Sequence, residues 1–172
     1  EDFDLPHYAN RFLNNYLQQT GDYAGLKLLY FYKVYRAVIR AKIVLFRLQE
    51  PDNSAEKIEQ LWQQYKSYMN LAESYTSLPN RFVLTMHGIS GTGKSTVALR
   101  LVDKLGVLRI RSDVERKRLF GLAPHEHPSG ELAKRMYCEE ANKQTYELLA
   151  NLCAAVLDSG LSVVVDATNL KK

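Results

Sequence analysis

A glycine-rich stretch, HGISGTGKST beginning at His87, carries the clearest chemical signal in the sequence. It contains Gly88, four further residues, and then Gly93, Lys94 and Ser95, which together complete the pattern G-x-x-x-x-G-K-[ST]. Glycines in such a loop allow backbone N–H groups to surround a polyphosphate where side chains would collide. The pattern therefore predicts a loop that binds the phosphates of a nucleotide.

The residues of this loop have separate expected roles in binding a nucleotide with Mg²⁺. We expect Lys94 to reach the β- and γ-phosphates and the Ser95 hydroxyl to ligate the metal ion. A helix that begins directly after the loop adds the partial positive charge of its N-terminus. The residues expected to bind the nucleotide are Gly88, Ile89, Ser90, Gly91, Thr92, Gly93, Lys94, Ser95 and Thr96. The alternative is an ordinary glycine turn between a strand and a helix.

A second segment, RSDVERKR at residues 111–118, combines a carboxylate with several basic side chains. Asp113 follows an apolar strand-like run, and ligands of open α/β sheets collect at the carboxyl ends of strands. A carboxylate there can accept the proton of a hydroxyl that attacks the γ-phosphate. Arg116 lies one helical turn later, so we expect it to face the same cleft and to hold an anionic group of the acceptor. The alternative is that Asp113 only caps a helix whose basic residues are solvated.

The third segment, VVVDATN at residues 163–169, is an apolar strand-like run that ends in an acid. Asp166 is the expected second protein ligand of Mg²⁺, beside Ser95. A glutamate directly after this Asp would commonly polarise water for ATP hydrolysis, and none is present here. The segment therefore favours a kinase with its own acceptor over an ATPase. The alternative is a buried strand whose Asp caps a turn.

The elements around these segments alternate between strands and helices. Strand-like runs are expected at residues 81–87, 107–112 and 161–169, and helices at residues 96–105, from about 113, and at 131–158. This alternation predicts an α/β fold with a P-loop kinase-type parallel sheet and flanking helices.

The N-terminal part of the chain shows only helical patterns. Pro6 suits the first turn of a helix that runs to about Gln19. Asn53, with Glu56 three residues later, resembles the cap of another helix. The helix between these two has apolar residues at steps of three and four: Tyr30, Val34, Ala37, Ala41, Leu45 and Leu48. We therefore expect an all-helical segment at residues 1–78 and a P-loop kinase domain at residues 79–172.

The net positive charge of the chain lies in residues 80–172. Residues 1–79 carry nine Lys/Arg and nine Asp/Glu, whereas residues 80–172 carry fourteen and ten. This excess fits an anionic ligand, and a nucleotide alone satisfies it, so nucleic acid is a less favoured partner. No apolar run reaches the length of a membrane span, and no signal peptide opens the chain.

The cysteines and histidines give no sign of a metal site. Cys138 and Cys153 lack both metal-ligand spacing and the density of a disulfide scaffold, so we expect reduced thiols, used in packing, in a cytoplasmic protein. His125 and His127 have no third ligand nearby at useful spacing, which favours a loop over a metal centre.

The three segments GISGTGKST, SDVER and VVVDATN together resemble the polynucleotide-kinase-like branch of the phosphate-loop kinases. That group is also similar to gluconate- and chloramphenicol-type small-molecule kinases. The resemblance covers about residues 81–172 and implies ATP and Mg²⁺, with Lys94, Asp113 and Arg116 as catalytic residues. Within that set it implies Asp113 as general base and Arg116 as the residue that orients the acceptor. It also implies Asp166, Thr168 and Asn169 at the active site.

The helical segment from Tyr8 to Leu48 resembles the end of the aminoglycoside-phosphotransferase-like domain of bacterial two-domain proteins. In those proteins an ATP-binding kinase domain follows directly. The resemblance implies that this chain is a fragment spanning the junction, with no transferase activity in residues 1–77 and little turnover overall. Three strands leave an open sheet edge, so we also expect that the fragment forms a homodimer or that its far end is poorly packed.

The sequence therefore predicts an ATP-dependent kinase that transfers the γ-phosphoryl group to a hydroxyl, with a small-molecule acceptor favoured. One alternative is a polynucleotide 5′-hydroxyl kinase. Another is a regulatory ATP-binding module without catalysis. The identity of the acceptor is left open.

Overall fold

The computed structural model of the chain describes residues 5–77 and 80–168. The chain up to Ala24 and from Arg81 onward forms one compact unit, and Gly25–Asn80 forms a second. The first helix of the chain therefore belongs to the unit that carries the phosphate loop. The division expected at residues 78 and 79 stays a prediction.

Seven α-helices and three β-strands are formed by the described residues. In chain order they are α1 (Pro6–Thr20), α2 (Leu29–Leu48), α3 (Ala55–Ser74), β1 (Val83–Thr85), α4 (Lys94–Leu105), β2 (Leu108–Arg111), α5 (Ser112–Leu119), α6 (Gly130–Met136), α7 (Glu139–Asp158) and β3 (Val163–Asp166). A short 3-10 helix, Ala24–Leu28, precedes α2. None of these helices combines the length and the apolar character needed to cross a membrane.

The strands form a parallel sheet in the order β1-β3-β2. All four residues of β3 are buried, because this strand is central and α4 and α7 both contact it. The register pairs Arg111 at the end of β2 with Asp166 at the end of β3. The predicted α/β fold with a parallel sheet and flanking helices is thereby confirmed, and the two strand ends bring polar residues to one edge.

Helix α4 packs on the sheet through a small apolar core. Ala98 and Val102, four residues apart and thus on one helical face, contact Val107 and Val164. All four side chains are fully buried. This contact fixes the helix that begins inside the phosphate loop against the central strand.

Helix α1 covers the outer edge of β2. The side-chain oxygen of Asn14 accepts a hydrogen bond from the backbone N–H of Arg109 (2.7 Å), and its amide donates to the carbonyl of Val107 (3.3 Å). The side chain therefore takes the place of a neighbouring strand. The other outer strand of the sheet is β1, and its Val83 is 41% exposed. The predicted homodimer stays a prediction.

The long helix expected at residues 131–158 is wrong as a single element. It is divided into α6 and α7 at Tyr137 and Cys138. Cys138 has extended backbone, and its Sγ accepts a hydrogen bond from the N–H of Ala141 (3.5 Å), which starts a new helix. Cys138 is exposed, so it serves as a cap rather than in packing as expected.

The second unit consists mainly of α2 and α3, which pack on each other. Their shared core contains Ala41, Val44, Leu61 and Tyr68, with Leu48 and Tyr65 at its margin. The cap expected at Asn53 is wrong by one residue. The hydroxyl of Ser54 accepts from the N–H of Lys57, whereas Asn53 donates to the carbonyls of Arg47 and Glu50 at the end of α2.

Candidate nucleotide-binding site

The phosphate loop connects β1 to α4, and its backbone has a positive φ at three glycines, of which Gly88 has a φ of +135°. Gly91 and Gly93 have φ values of +84° and +81°, and an added Cβ would meet nothing within 4 Å at either position. Glycine is therefore needed at these two positions because of the positive φ, and not because a side chain would collide with a neighbour. Gly93 is also the N-cap of α4, so Lys94 opens the helix. Turns of this kind point successive N–H groups toward one ligand and form an anion-binding concavity.

The side chains of the loop bond within the loop itself. The Thr92 hydroxyl donates to the carbonyl of Ile89 (2.9 Å), and the Lys94 ammonium group donates to the same carbonyl. Two bonds join its backbone to other elements, since the N–H of Gly88 donates to the carbonyl of Thr168 (3.2 Å) and Nη1 of Arg109 donates to the carbonyl of Ser95 (3.3 Å). The loop is largely exposed, so its side chains and N–H groups are accessible to a ligand.

A cavity of about 400 Å³ opens beside this loop, large enough for a small ligand. Eight of the residues that the sequence singled out line it together, namely Ser90, Gly91, Gly93, Lys94, Ser95, Asp113, Asp166 and Thr168. The other lining residues are Arg111, Ser112 and Ala167. They converge because the carboxyl ends of parallel strands meet at one edge of the sheet.

The other predicted residues are placed differently. Gly88, Ile89, Thr92 and Thr96 belong to the loop and its helix but do not line the cavity. Asn169 lies outside the described residues. The structure therefore brings Lys94, Ser95, Asp113 and Asp166 together but not Arg116.

Asp113 lies in the first turn of α5 and forms an ion pair one turn along the helix. Its Oδ2 is 3.0 Å from Nζ of Lys117. The Lys117 side chain is only 7% exposed and also donates to the carbonyl of Pro124 (3.1 Å), whereas the Asp113 side chain is 46% exposed. The carboxylate is therefore held from behind by a buried ammonium group and remains open toward the cavity.

Arg116 does not meet the expectation that it faces this cleft. Its Nη1 donates to the carbonyl of Met136 and to Oδ1 of Asn142, both at 2.7 Å, and its guanidinium lies 4.9 Å from the ring centroid of Tyr137. Three residues advance about 300° around a helix, so Arg116 is rotated by about 60° from Asp113. That rotation directs it to α6 and α7, where it is buried.

The cavity offers oxygen ligands that fit Mg²⁺. Asp166 is nearly buried, and its Oδ2 has no hydrogen-bond partner among the described residues. A buried carboxylate oxygen in that state needs a cation or a donor. With the Ser95 hydroxyl it supplies the few protein oxygens that a nucleotide-bound Mg²⁺ requires, since this ion usually keeps phosphate and water ligands. Within residues 5–77 and 80–168, no three His, Cys, Asp or Glu side chains cluster into a metal site.

Two arginines near the cavity are absent from the residues that sequence reasoning selected. Arg111 lines the cavity, and Arg109 lies two residues earlier on the same face of β2. Burial lowers the pKa of Arg109, and the nearby positive charge of Arg111 lowers it further, while Asp166 raises it. The available signal was the alternation of Arg along a strand that ends at Arg111, two residues before Asp113.

Helix α5 is fixed by a buried polar network that reaches α1. Glu115 is 2% exposed, accepts a hydrogen bond from the hydroxyl of Tyr23 (2.9 Å) and pairs with Arg118. Arg118 also donates to the carbonyl of Gln18 (2.9 Å) at the end of α1. Burial and the Glu115 charge both raise the pKa of Tyr23, so it stays neutral. A Cβ at Gly21 would lie 2.7 Å from Nε of Arg118.

Three mycobacterial proteins are similar to almost the whole chain. They are the uncharacterized proteins Rv2004c and MT2060 of Mycobacterium tuberculosis, strains H37Rv and CDC 1551, and Mb2027c of Mycobacterium bovis. Each is 30% identical over 167 residues, which is 96% of this chain and 31% of the relative. The chain thus spans about a third of the length of these relatives. No solved structure gives a significant match.

Residues 83–172 match the model of the AAA domain, a P-loop domain of kinase-like type, and the chain belongs to this family.

Proposed function

We propose that the unit carrying the phosphate loop binds ATP with Mg²⁺ and transfers the γ-phosphoryl group to a hydroxyl of an acceptor, with a small molecule favoured. The observation that supports this proposal is the shared cavity. It joins a phosphate-loop lysine, two oxygen ligands suited to Mg²⁺ and a separate carboxylate that faces the same space. A site for nucleotide binding alone does not require that last group.

Each residue has a role in this reaction. The loop amides and Lys94 bind the phosphates, and Ser95 and Asp166 hold Mg²⁺. When bound, Mg²⁺ would supply positive charge that offsets the negative charge of the phosphates. Asp113 accepts the proton of the acceptor hydroxyl as that oxygen bonds to the γ-phosphorus. The bond from the γ-phosphorus to the β–γ bridging oxygen breaks, and ADP leaves with the electron pair.

The protein contributes mainly position and charge to this transfer, because the reaction needs little covalent chemistry from side chains. Lys117 fits that requirement, since it holds the Asp113 carboxylate in one place. Arg116 has a different role from the one implied by the resemblance. Its contacts with Met136 and Asn142 support a structural role in joining α5 to α6 and α7.

We also propose that residues 1–78 form the end of an aminoglycoside-phosphotransferase-like domain, in a cytoplasmic protein. The helical character of α2 and α3 supports this assignment.

The test compares Lys94→Ala and Asp113→Asn with the unchanged protein. We expect Lys94→Ala to remove most of the thermal stabilisation by ATP and Mg²⁺, since a charged hydrogen bond to phosphate is worth about 1.5–3 kcal/mol. Asp113→Asn should keep this stabilisation but lower phosphoryl transfer by about 10²–10⁴-fold, because a general base is lost. Transfer is measured with γ-labelled ATP against a library of hydroxyl metabolites.

The exposed pair Glu131–Lys134 provides a control, since Glu131→Gln removes a carboxylate whose side chain is 84% exposed. This substitution should change neither the thermal stabilisation by ATP and Mg²⁺ nor the rate of phosphoryl transfer. Unaltered stabilisation by ATP in Lys94→Ala would refute the binding site, and undiminished transfer in Asp113→Asn would refute the base. Labelling of 5′-hydroxyl oligonucleotides in place of metabolites would favour the polynucleotide kinase alternative.

A further inference from the structure

Two arginine side chains on β2 share one neutral partner. Arg109 and Arg111 are two residues apart on a strand, so their side chains leave the same face of the sheet. Oε1 of Gln18 on α1 accepts a hydrogen bond from Nη2 of Arg109 and from Nη1 of Arg111, both at 3.4 Å. Both distances are beyond the usual range for N–H···O bonds, so the amide compensates little of either charge.

Neither guanidinium forms an ion pair with a carboxylate in the described part of the chain. Arg109 is partly buried and has a second hydrogen bond, from Nη1 to the carbonyl of Ser95 (3.3 Å). It therefore lies behind the first turn of α4. Arg111 alone of the two lines the cavity. Arg111 places its positive charge at the cavity wall, and the charge of Arg109 lies behind it. This arrangement is suited to binding an anion.

The sheet order places Arg111 away from the loop. β3 lies between β1, which leads into the loop, and β2, so the backbone of Arg111 is about 10 Å from β1 at normal strand spacing. Asp113 follows Arg111 by two residues and lines the same cavity. Arg111 therefore borders the side of the cavity that contains the candidate base, and this is where an acceptor hydroxyl must lie.

We propose that Arg111 binds an anionic group of the acceptor, a phosphate or a carboxylate, with Arg109 adding positive charge behind it. This inference rests on the proposed function and specifies its acceptor as an anionic hydroxyl compound. The planar guanidinium can bind such a group with two parallel hydrogen bonds. The long bonds to Gln18 are weak enough for an anion to replace them. Arg116, the residue expected to do this, is held by Met136 and Asn142.

The test separates this site from the nucleotide site by filling the loop first. The protein is saturated with Mg²⁺ and the non-hydrolysable analogue AMP-PNP, and inorganic phosphate is then titrated by calorimetry. We expect phosphate to bind to the unchanged protein and at least tenfold more weakly to Arg111→Gln, with Arg111→Lys in between. Arg135→Gln, which removes an exposed arginine of α6, should bind phosphate normally. A parallel titration with acetate shows whether phosphate or carboxylate is preferred.

Three results would overturn the proposal: no binding of either anion to the unchanged protein, equal binding by Arg111→Gln, or a loss of AMP-PNP affinity in Arg111→Gln with phosphate binding intact. The last result would assign Arg111 to the nucleotide phosphates. Failure of AMP-PNP to bind the unchanged protein would instead refute the proposed function. Titration of nucleotide-free protein with phosphate, compared with Arg111→Gln, would then still test Arg111.

Discussion

The phosphate loop and the segment of residues 108–119 that forms β2 and α5 face the same cavity but are held in opposite ways. In the loop, Thr92 and Lys94 bond to a carbonyl three and five residues away. In the segment, Arg109 bonds to a partner 95 residues away, and Glu115 to one 92 residues away. The loop is exposed, whereas much of α5 is buried.

Because of this difference, nucleotide affinity and the free energy of unfolding should depend on different residues. A loop that is fixed by neighbouring residues and exposed to solvent can be changed without loss of packing. The buried residues of the β2–α5 segment, Glu115 among them, depend on contacts with Tyr23 and α1, so changes to them should act on the fold before they act on the ligand. Arg111 and Asp113, which line the cavity, are the exceptions. A substitution in the loop should therefore lower nucleotide affinity and leave the unfolding free energy unchanged, whereas one at a buried position of the segment should do the reverse.

The largest effect is expected for Glu115→Gln. The substitution removes the charge that pairs with Arg118 and weakens the bond from Tyr23, in a site where Glu115 is almost fully buried. Breaking a buried pair in this way should lower the free energy of unfolding by about 3 kcal/mol, measured by urea denaturation. Affinity for ATP in the remaining folded protein should stay normal. Lys94→Ala should show the reverse, with normal stability and weakened ATP binding.

A matched control for Glu115→Gln exists on α6. Glu131 and Lys134 form a pair with the same spacing of three residues, but their side chains are 84% and 77% exposed. Glu131→Gln should leave the unfolding curve unchanged, because solvent screens such pairs. If Glu115→Gln were as mild as this control, the network would not be what holds α5.

A smaller effect is expected for Asn14→Leu, which tests the edge of β2. Leu has a similar size but leaves the N–H of Arg109 and the carbonyl of Val107 without their partner. We expect a loss of about 2 kcal/mol in unfolding free energy, the usual cost of unsatisfied buried groups. Hydrogen exchange of the Arg109 amide should also accelerate. Asn15→Leu, at an exposed position beside it, should change neither quantity; equal exchange rates in both variants would argue against the edge contact.

The same contrast explains which features the sequence could predict. The loop, the helix from Pro6 and the polar strand ends follow local rules of glycine geometry, helix capping and strand polarity. Asp113 and Asp166 were located because parallel strands end at one edge. The roles of Arg111 and Arg116 were not predictable in this way. Both are arginines in one short basic segment, and only packing against α1 or α7 decides which one lines the cavity.

The contact of α1 with β2 could not be predicted from the sequence either. Asn14 has no pattern that distinguishes it from other polar helix residues, and its partners lie more than ninety residues later. The boundary expected between residues 78 and 79 instead leaves all of α1 with the helical segment. The compact unit includes α1 because contacts in space, not chain order, decide the grouping.

The smallest effect is expected for Asp103→Asn, at the exposed contact between α1 and α4. Arg11 binds both carboxylate oxygens of Asp103 at 2.7 Å. These hydrogen bonds lower the pKa of Asp103 below its ordinary value of 3.8, and the charge of Arg11 adds to the effect. The ionised form is thus favoured by folding. Its stabilisation is present above the pKa of the unfolded chain and is lost as the pH falls through the lower pKa of the folded state.

The unchanged protein should therefore have a slightly higher Tm than Asp103→Asn at pH 7. This difference in Tm should vanish as the pH is lowered from about 4 to below the pKa of Asp103 in the folded protein. Scanning calorimetry across this pH range, at low and high salt, measures the difference. High salt should shrink the difference, because solvent reaches both groups. A large difference that is independent of pH would mean that the exposed contact between Arg11 and Asp103 stabilises the unit as strongly as the buried Glu115 network is expected to.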